Sequence, residues 1–218
     1  IILGVPFGVL SATKQYSVLD YSVTTLSTLF AAMPNFWLAL VAILLFSLKL
    51  RWLPATGFGT VQQLILPVLT NALTSVAVVA RMTRSSMLEV IRQDYIRTAR
   101  AKGLREGTVI RRHALKNALI PVLTVVGMQM SMVMGGSVIV ETIFSIPGLG
   151  AYMMAGITAR DYPVINGCVV VLSLSICVMN LLVDIAYAYV DPRIRAQYER
   201  PKKKQKTAAA AANGGGQS

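Results

Sequence analysis

Residues 64–117 read LILPVLTNALTSVAVVA RMTRSSMLEVIRQDYIRTARAKGLREGTVIRRHALKN, and the change at Arg81 decides the fold class. Seventeen residues without a charge give way to thirty-seven that carry ten Lys and Arg, and a second apolar block opens at Ala118. An uncharged run of that length approaches the ~20 residues that carry a helix across ~30 Å of hydrocarbon. A soluble domain distributes its apolar residues as interrupted stripes along helices and strands, whereas this chain gathers them into blocks. Its composition agrees: 55% of the 218 residues are hydrophobic and 14% are charged, which points to lipid as the solvent.

Working outward, further apolar blocks lie at 26–48, interrupted by Met33-Pro34-Asn35, at 118–144 and at 163–189. Proline inside a span marks a kink or a helix start. The run 1–10 is too short to span and lacks the basic start of a signal peptide; it reads as the tail of a helix whose beginning precedes Ile1. The expected fold is therefore all-α, a polytopic transmembrane helical bundle with four complete spans and an N-terminal partial span. It occupies residues 1–200, and the segment 201–218, with four lysines, a run of alanines and Gly214-Gly215-Gly216, is expected to be disordered.

The net charge of +12 raises the question of nucleic acid, and its distribution answers it. With alternate loops on the same side, Lys and Arg number one in 11–25, ten in 81–117 and seven in 191–218, eighteen of the twenty-one. Lys49, Arg51 and Arg160 fall on the other side. Basic residues remain where they are synthesised, so the rich side is expected to be cytoplasmic and no nucleic acid is required. The same side holds the loop 81–117, in which Met87, Val90 and Ile91, then Tyr95 and Ala99, recur at helical spacing. Short amphipathic helices outside the bilayer are expected, broken at Gly103 and Gly107. Such a loop is either a docking element or a solvated face.

Its residues bear on that choice. Arg97-Thr98-Ala99-Arg100-Ala101-Lys102-Gly103-Leu104, followed by His113-Ala114-Leu115, resembles the EAA loop of ABC importer permeases, in particular the dipeptide, oligopeptide and nickel branch. Gln93-Asp94-Tyr95-Ile96-Arg97 and Arg112-His113-Ala114-Leu115-Lys116-Asn117-Ala118 are similar to that branch's running pattern, and the resemblance continues through Gly135-Gly136-Ser137-Val138, Val140-Glu141-Thr142-Ile143-Phe144, Pro147-Gly148-Leu149-Gly150, Arg160-Asp161-Tyr162-Pro163 and Asp191-Pro192-Arg193. Two departures from the broad EAA pattern, Arg97-Thr98-Ala99 in place of Glu-Ala-Ala and Lys116 in place of proline, look usual for the branch. The resemblance implies a type I ABC importer permease-like bundle in a bacterial or archaeal cytoplasmic (inner) membrane. It implies a coupling helix near residues 98–107, with Arg97, Thr98, Ala99, Arg100, Ala101, Lys102, Gly103, Leu104, Arg105, Glu106 and Gly107 meeting a cytoplasmic ATPase subunit. It also implies the partners: a second homologous permease subunit, two ATP-binding subunits that hold ATP and Mg, and an extracytoplasmic substrate-binding protein. The residue types fit a docking role, since Ala99 and Ala101 are small, Gly103 permits a sharp turn, and Arg97, Arg100, Lys102 and Arg105 form a basic rim.

No nucleophile and base pair and no phosphate-binding G-x-x-x-x-G-K-[ST] loop occurs, so the chain is expected to be no enzyme and to hold no cofactor. Asn71, Gln129 and Glu141 are the candidate pathway-lining residues; Glu141 alternatively is a charge at the outer interface, hydrogen-bonded to its loop. Asp184 is expected to anchor the tail. Met128, Met130, Met132 and Met134 alternate, and positions two apart on a helix diverge by about 200°, so packing is preferred to a metal path. His113 has no second histidine to complete a metal site. Cys168 and Cys177 read as small apolar core residues. The function the resemblance implies is a permease subunit of an ATP-driven importer of peptides or related solutes, with dipeptides, oligopeptides, glutathione-like peptides and nickel chelates all open as cargo. An ion-gradient-driven secondary transporter or channel is the alternative, and it would want more intramembrane charge than the blocks offer.

Overall fold

The computed structural model describes residues 1–136 and 138–190. Along them the chain forms α1 (Gly4–Thr13), α2 (Val18–Ala32), α3 (Asn35–Ala42, prolonged by a π-helical stretch, Ile43–Lys49), α4 (Val61–Ile91), α5 (Asp94–Ala101), α6 (Glu106–Thr108, prolonged by a π-helical stretch, Val109–Ala114), α7 (Leu115–Gly136), α8 (Val138–Phe144), α9 (Leu149–Ala159) and α10 (Tyr162–Val190). No strand occurs among the described residues. The segments expected to hold Asp191-Pro192-Arg193 and the 201–218 tail lie outside them.

Helix α4 organises the rest. At 31 residues it is roughly 46 Å long, more than the hydrocarbon needs, so the charges that begin at Arg81 extend the helix beyond the membrane instead of ending it. Its N-terminus is fixed by the Gln63 side chain, which accepts from the Thr60 N–H at 3.1 Å. Helices α1 and α2 pack on one side of α4, α7 on another, and α10 packs against α7. The α1 seam is made of small residues: Gly4, Gly8, Ser11 and Ala12 are all buried. A Cβ at Gly8 would stand 2.5 Å from the Ala80 carbonyl oxygen, which is the close backbone approach that a small-xxx-small stripe allows in membranes. The α7–α10 seam is similarly tight at Gly127, against Val183.

Three apolar clusters are strung along this frame. Ala12, Met87, Ile96, Ala99, Val109, Ala114 and Ala118 form one at the C-terminal end of α4. Val79, Val122 and Val126 form one in the middle, and Ala39, Leu66, Val140 and Phe144 form one at the other end. The last is closed by the 50–60 loop, where the Gly57 N–H donates to the Phe144 carbonyl at 2.9 Å and Phe46 meets the ring of Trp52. Outward faces are apolar: only 6% of the best window of α10 is buried, at a mean hydropathy of 2.4. This chain is a multi-pass membrane protein whose wide apolar flanks meet lipid or another subunit.

The span pattern differs in two places from the expectation. The block 26–48 breaks at Pro34, as a proline inside a span leads one to expect, but helix α2 starts earlier, at Val18, and the bend into α3 is 103°. Pro34 cannot donate to the preceding turn, so one helix ends and the next starts there. The loop expected after the block 118–144 contains α9, set at 87° to α8. Gly148 precedes α9 and Arg160 ends it in the left-handed conformation at φ 56, so two turn signals that read as one long loop are the two caps of a helix. Among the described residues three helices are long and apolar enough to cross a membrane, or up to five if each bent pair is one span.

Candidate functional site

The basic segment folds as a helix, a turn and a helix resting on the bundle end. In α5 the underside is Ile96 and Ala99, buried against Met87, Ala12, Val109, Ala114 and Ala118. Burying side chains such as Met87 and Ile96 stabilises the seat by about 1.5–3 kcal/mol each. The buried phase is therefore Ile96 and Ala99, not Tyr95, which is exposed. Helix α5 ends in a turn in which the Lys102 N–H donates to the Thr98 carbonyl at 3.1 Å and the Gly103 N–H to Arg100 at 2.9 Å. Gly103 has φ +74, a conformation that disfavours a Cβ, and Gly107 faces open space.

Charges close the turn. Arg100 donates from Nε to Glu106 Oε2 at 3.1 Å and from Nη2 to Oε1 at 2.7 Å, a bidentate pair bridging the end of α5 to the start of α6. The hydrogen-bonded Glu106 carboxylate holds the Arg100 guanidinium above its ordinary pKa. Arg97 approaches Asp94 only at 3.8 Å, with both side chains largely in solvent. The expected basic rim is thus narrowed to Arg97, Lys102 and Arg105, because Arg100 is neutralised within the turn. Of the eleven candidate coupling residues, Ala99 alone is turned inward; Arg97, Thr98, Arg100, Ala101, Lys102, Gly103, Leu104, Arg105, Glu106 and Gly107 are exposed. His113 is half-buried in the π-helical lead into α7, its carbonyl taking the Asn117 amide at 2.9 Å.

Beneath this segment lies a polar knot that pattern reading missed. Asp20 is 2% exposed and accepts from Arg84 Nε at 2.6 Å and Nη2 at 2.9 Å, from the Tyr16 N–H at 3.0 Å and from the Ser11 hydroxyl. One carboxylate thereby joins the α1–α2 turn to α4, a few residues before α4 hands over to α5. The available signal was Ser17 followed by Asp20 at the start of an apolar helix, a helix-capping pattern in which the Asp20 N–H does donate to the Ser17 hydroxyl at 3.3 Å. Its partner, 64 residues away, left no local trace.

The pathway candidates separate. Asn71 and Gln129 line one groove of about 290 Å³ together with Asn35, Thr74, Ser75, Val78, Met132 and Val133. Thr74 donates to Asn35 Oδ1 at 2.9 Å across the α3–α4 contact. Glu141 is not on that groove: its Oε2 accepts the Ala151 N–H at 3.0 Å, and a Cβ on Gly148 would stand 2.3 Å from its carboxyl carbon. The carboxylate thus braces the 147–151 turn that starts α9. Met128, Met130 and Met132 open onto three different cavities, so they do not converge. Cys168 is buried, whereas Cys177 is exposed on the flank of α10, and both are free thiols. Asp184 is exposed beside Asn180 and Thr124, and its expected tail partner lies outside the described residues. Among the described residues no group of three His, Cys, Asp or Glu is placed to hold a metal.

Comparison with known proteins bears on the whole of this arrangement. Residues 4–196 match the family described as binding-protein-dependent transport system inner membrane component. The dipeptide transport system permease protein DppB of Alkalihalophilus pseudofirmus is 44% identical, the alignment covering 89% of this chain and 67% of that protein. The oligopeptide transport system permease protein AppB of Bacillus subtilis is 45% identical, covering 89% and 65%. The di/tripeptide transport system permease protein DppB of Pseudomonas aeruginosa is 41% identical, covering 89% and 66%. The chain thus spans about two thirds of the length of these relatives. Its fold is similar to a chain of the MetNI methionine ABC transporter solved in inward-facing conformations, with a TM-score of 0.71 at 20% identity over 87% of both chains. With all of the described helices inside the matched residues, this chain belongs to the binding-protein-dependent transport system inner membrane component family.

Proposed function

We propose that this chain is the greater part of a permease subunit of an ATP-driven peptide importer, forming half of the translocation pathway and taking its energy from cytoplasmic ATPase subunits docked on the 94–107 helix and turn. The observation that carries the reading is the build of that segment. Its apolar underside is anchored on α1, α4 and α7, while Arg97, Ala101, Lys102 and Arg105 project from the end of the bundle. A short helix held rigidly on a long membrane helix transmits a push; a solvated loop does not. The names of the related dipeptide and oligopeptide permeases support peptides as the cargo. The surroundings are a second permease subunit, two ATP-binding subunits that bind ATP and Mg, and an external binding protein, in a cytoplasmic membrane with the basic end inside.

The test uses the full-length subunit with its partner subunits in proteoliposomes. Lys102→Glu with Arg105→Glu reverses the free rim without touching Ile96, Ala99 or the Arg100–Glu106 pair. Peptide uptake and substrate-stimulated ATP hydrolysis should both fall by at least ten-fold, roughly the loss of one or two charge-assisted contacts, while the two permease subunits still co-purify. Uptake at the wild-type rate would remove the docking assignment. Uptake that persists without any ATPase subunit would remove the importer reading altogether.

A further inference from the structure

The groove between α3, α4 and α7 has a chemistry of its own. Its polar residues, Asn35, Asn71, Thr74, Ser75 and Gln129, are all carboxamides and hydroxyls, and neither a carboxylate nor a cation lines it. Uncharged polar side chains in a bundle whose flanks are otherwise apolar are costly unless they face water or a polar solute. At about 290 Å³ the groove has room for several waters. Thr74 donates to Asn35 Oδ1, whereas the Asn71, Ser75 and Gln129 side chains have no hydrogen-bond partner among the described residues. Each carboxamide offers two donors and an acceptor, and each hydroxyl one donor and two lone pairs. That inventory matches a solute that presents N–H and C=O groups alternately. It does not match a bare cation, which wants charged or converging oxygen ligands, nor a charged terminus, which wants a counter-ion. Val78, Met132 and Val133 beside the amides tolerate apolar side chains of differing shape, and Met132 can repack.

We infer that the groove of Asn35, Asn71, Thr74, Ser75 and Gln129 binds the main-chain amides of the transported peptide and selects for those amides, not for charge. The inference rests on the importer reading and names the part of the substrate that this chain recognises. Asn71 and Gln129 supply unpaired hydrogen-bonding groups from facing helices, so an extended segment lying between them exchanges water hydrogen bonds for protein ones at little net cost. A groove of this kind passes peptides of many sequences, since every residue carries the same backbone.

The test is uptake by the full-length subunit reconstituted with its partners and binding protein, comparing a neutral tripeptide with the same peptide N-methylated along its backbone. The binding-protein step is common to every variant, so the ratio of the two rates is the readout. Gln129→Met and Asn71→Leu should each slow the unmodified peptide by about three- to ten-fold, the worth of one hydrogen bond, and move the ratio toward one. Gln129→Asn, which keeps the amide, should retain it. Asn71→Asp should introduce a preference for lysine-containing peptides that the parent lacks. An unchanged ratio in both apolar variants overturns the inference while leaving the importer reading intact. A second measurement is independent of transport: in the same complex, in a background of Cys168→Ala and Cys177→Ala, protection of Met132→Cys, an exposed position on the groove that supplies no amide hydrogen bond, from a maleimide by the peptide, but not by its ester-backbone counterpart, supports amide recognition. Equal protection by both refutes it.

Discussion

Asp20 and Arg84 show how much one pair carries in a bundle with few charges. The carboxylate is 3% exposed and the guanidinium side chain 24%, and between them they connect the α1–α2 turn to the helix that leads into the basic segment. Arg84→Met would leave the Asp20 carboxylate buried with only the Ser11 and Thr24 hydroxyls and the Tyr16 N–H. Breaking a buried pair from one side costs about 3–5 kcal/mol, because the surviving charge loses its partner. Asp20→Asn combined with Arg84→Met should recover much of that loss. Thermal unfolding of the detergent-purified subunit should show a Tm lowered by about 10 °C in the single variant, at ~2–4 °C per kcal/mol, and by clearly less in the double. Equal losses in the two would mean that the pair acts through packing and not charge. Neither residue stands out in the sequence as a site. Arg84 is one of ten basic residues in 81–117, and only the fold distinguishes the one that turns inward.

At the scale of elements, two glycines in one loop make opposite demands. Gly103 sits at φ +74, where a Cβ is strained, while Gly107 is helical with nothing near its missing side chain. Gly103→Ala should loosen the α5–α6 turn by about 1 kcal/mol, and Gly107→Ala should stabilise it by roughly 0.5–1 kcal/mol. Amide hydrogen exchange at Lys102 and Gly103 reads both. A Gly107→Ala variant that is more protected yet slower in transport would mark Gly107 as a contact point for the docked subunit. The α1 seam is stricter: Gly8→Val places a branched side chain into the Ala80 carbonyl and Thr83, and α1 must move off α4. Disulfide trapping between cysteines at Ala12 and Met87, which share one apolar cluster, should proceed in the parent and fail in that variant. The long apolar helices and the basic segment were legible in the sequence because hydropathy and charge are local properties. The break at Pro34 was legible as a kink or helix start but the 103° size of its bend was not, nor was the helix α9, since one proline or one Pro-Gly turn does not say which way the chain continues. Likewise periodicity suggested a buried face in 94–101 but chose Tyr95, because Ile96 faces inward only once α5 is laid on Met87 and Val109.

At the scale of the molecule, the two ends of α4 differ in what they hold. One end carries the 50–60 loop with exposed Trp52, and the other, about 46 Å away along the helix, carries α5 and the exposed Arg97, Lys102 and Arg105. Asn71 and Gln129 were singled out separately for being polar within apolar blocks, and the packing of α4 against α7 brings them to one groove between those ends; Glu141, chosen on the same ground, is taken up by the turn before α9. The excess of Lys and Arg on the α5 end predicts that it faces the cytoplasm. This can be checked without any transport assay. In a background of Cys168→Ala and Cys177→Ala, single cysteines at Trp52 and Lys102 report the two ends, both being exposed positions outside the long spans. A membrane-impermeant maleimide added to intact spheroplasts should label Trp52→Cys and leave Lys102→Cys unmodified, and inverted vesicles should give the reverse. Labelling of both from one side would mean that α4 does not cross the bilayer, and the bent pair α2–α3 would then have to be a re-entrant hairpin. Labelling with the sides exchanged would put the basic end outside, where no ATP-driven subunit could reach it, and the proposed coupling through α5 would fall with the orientation.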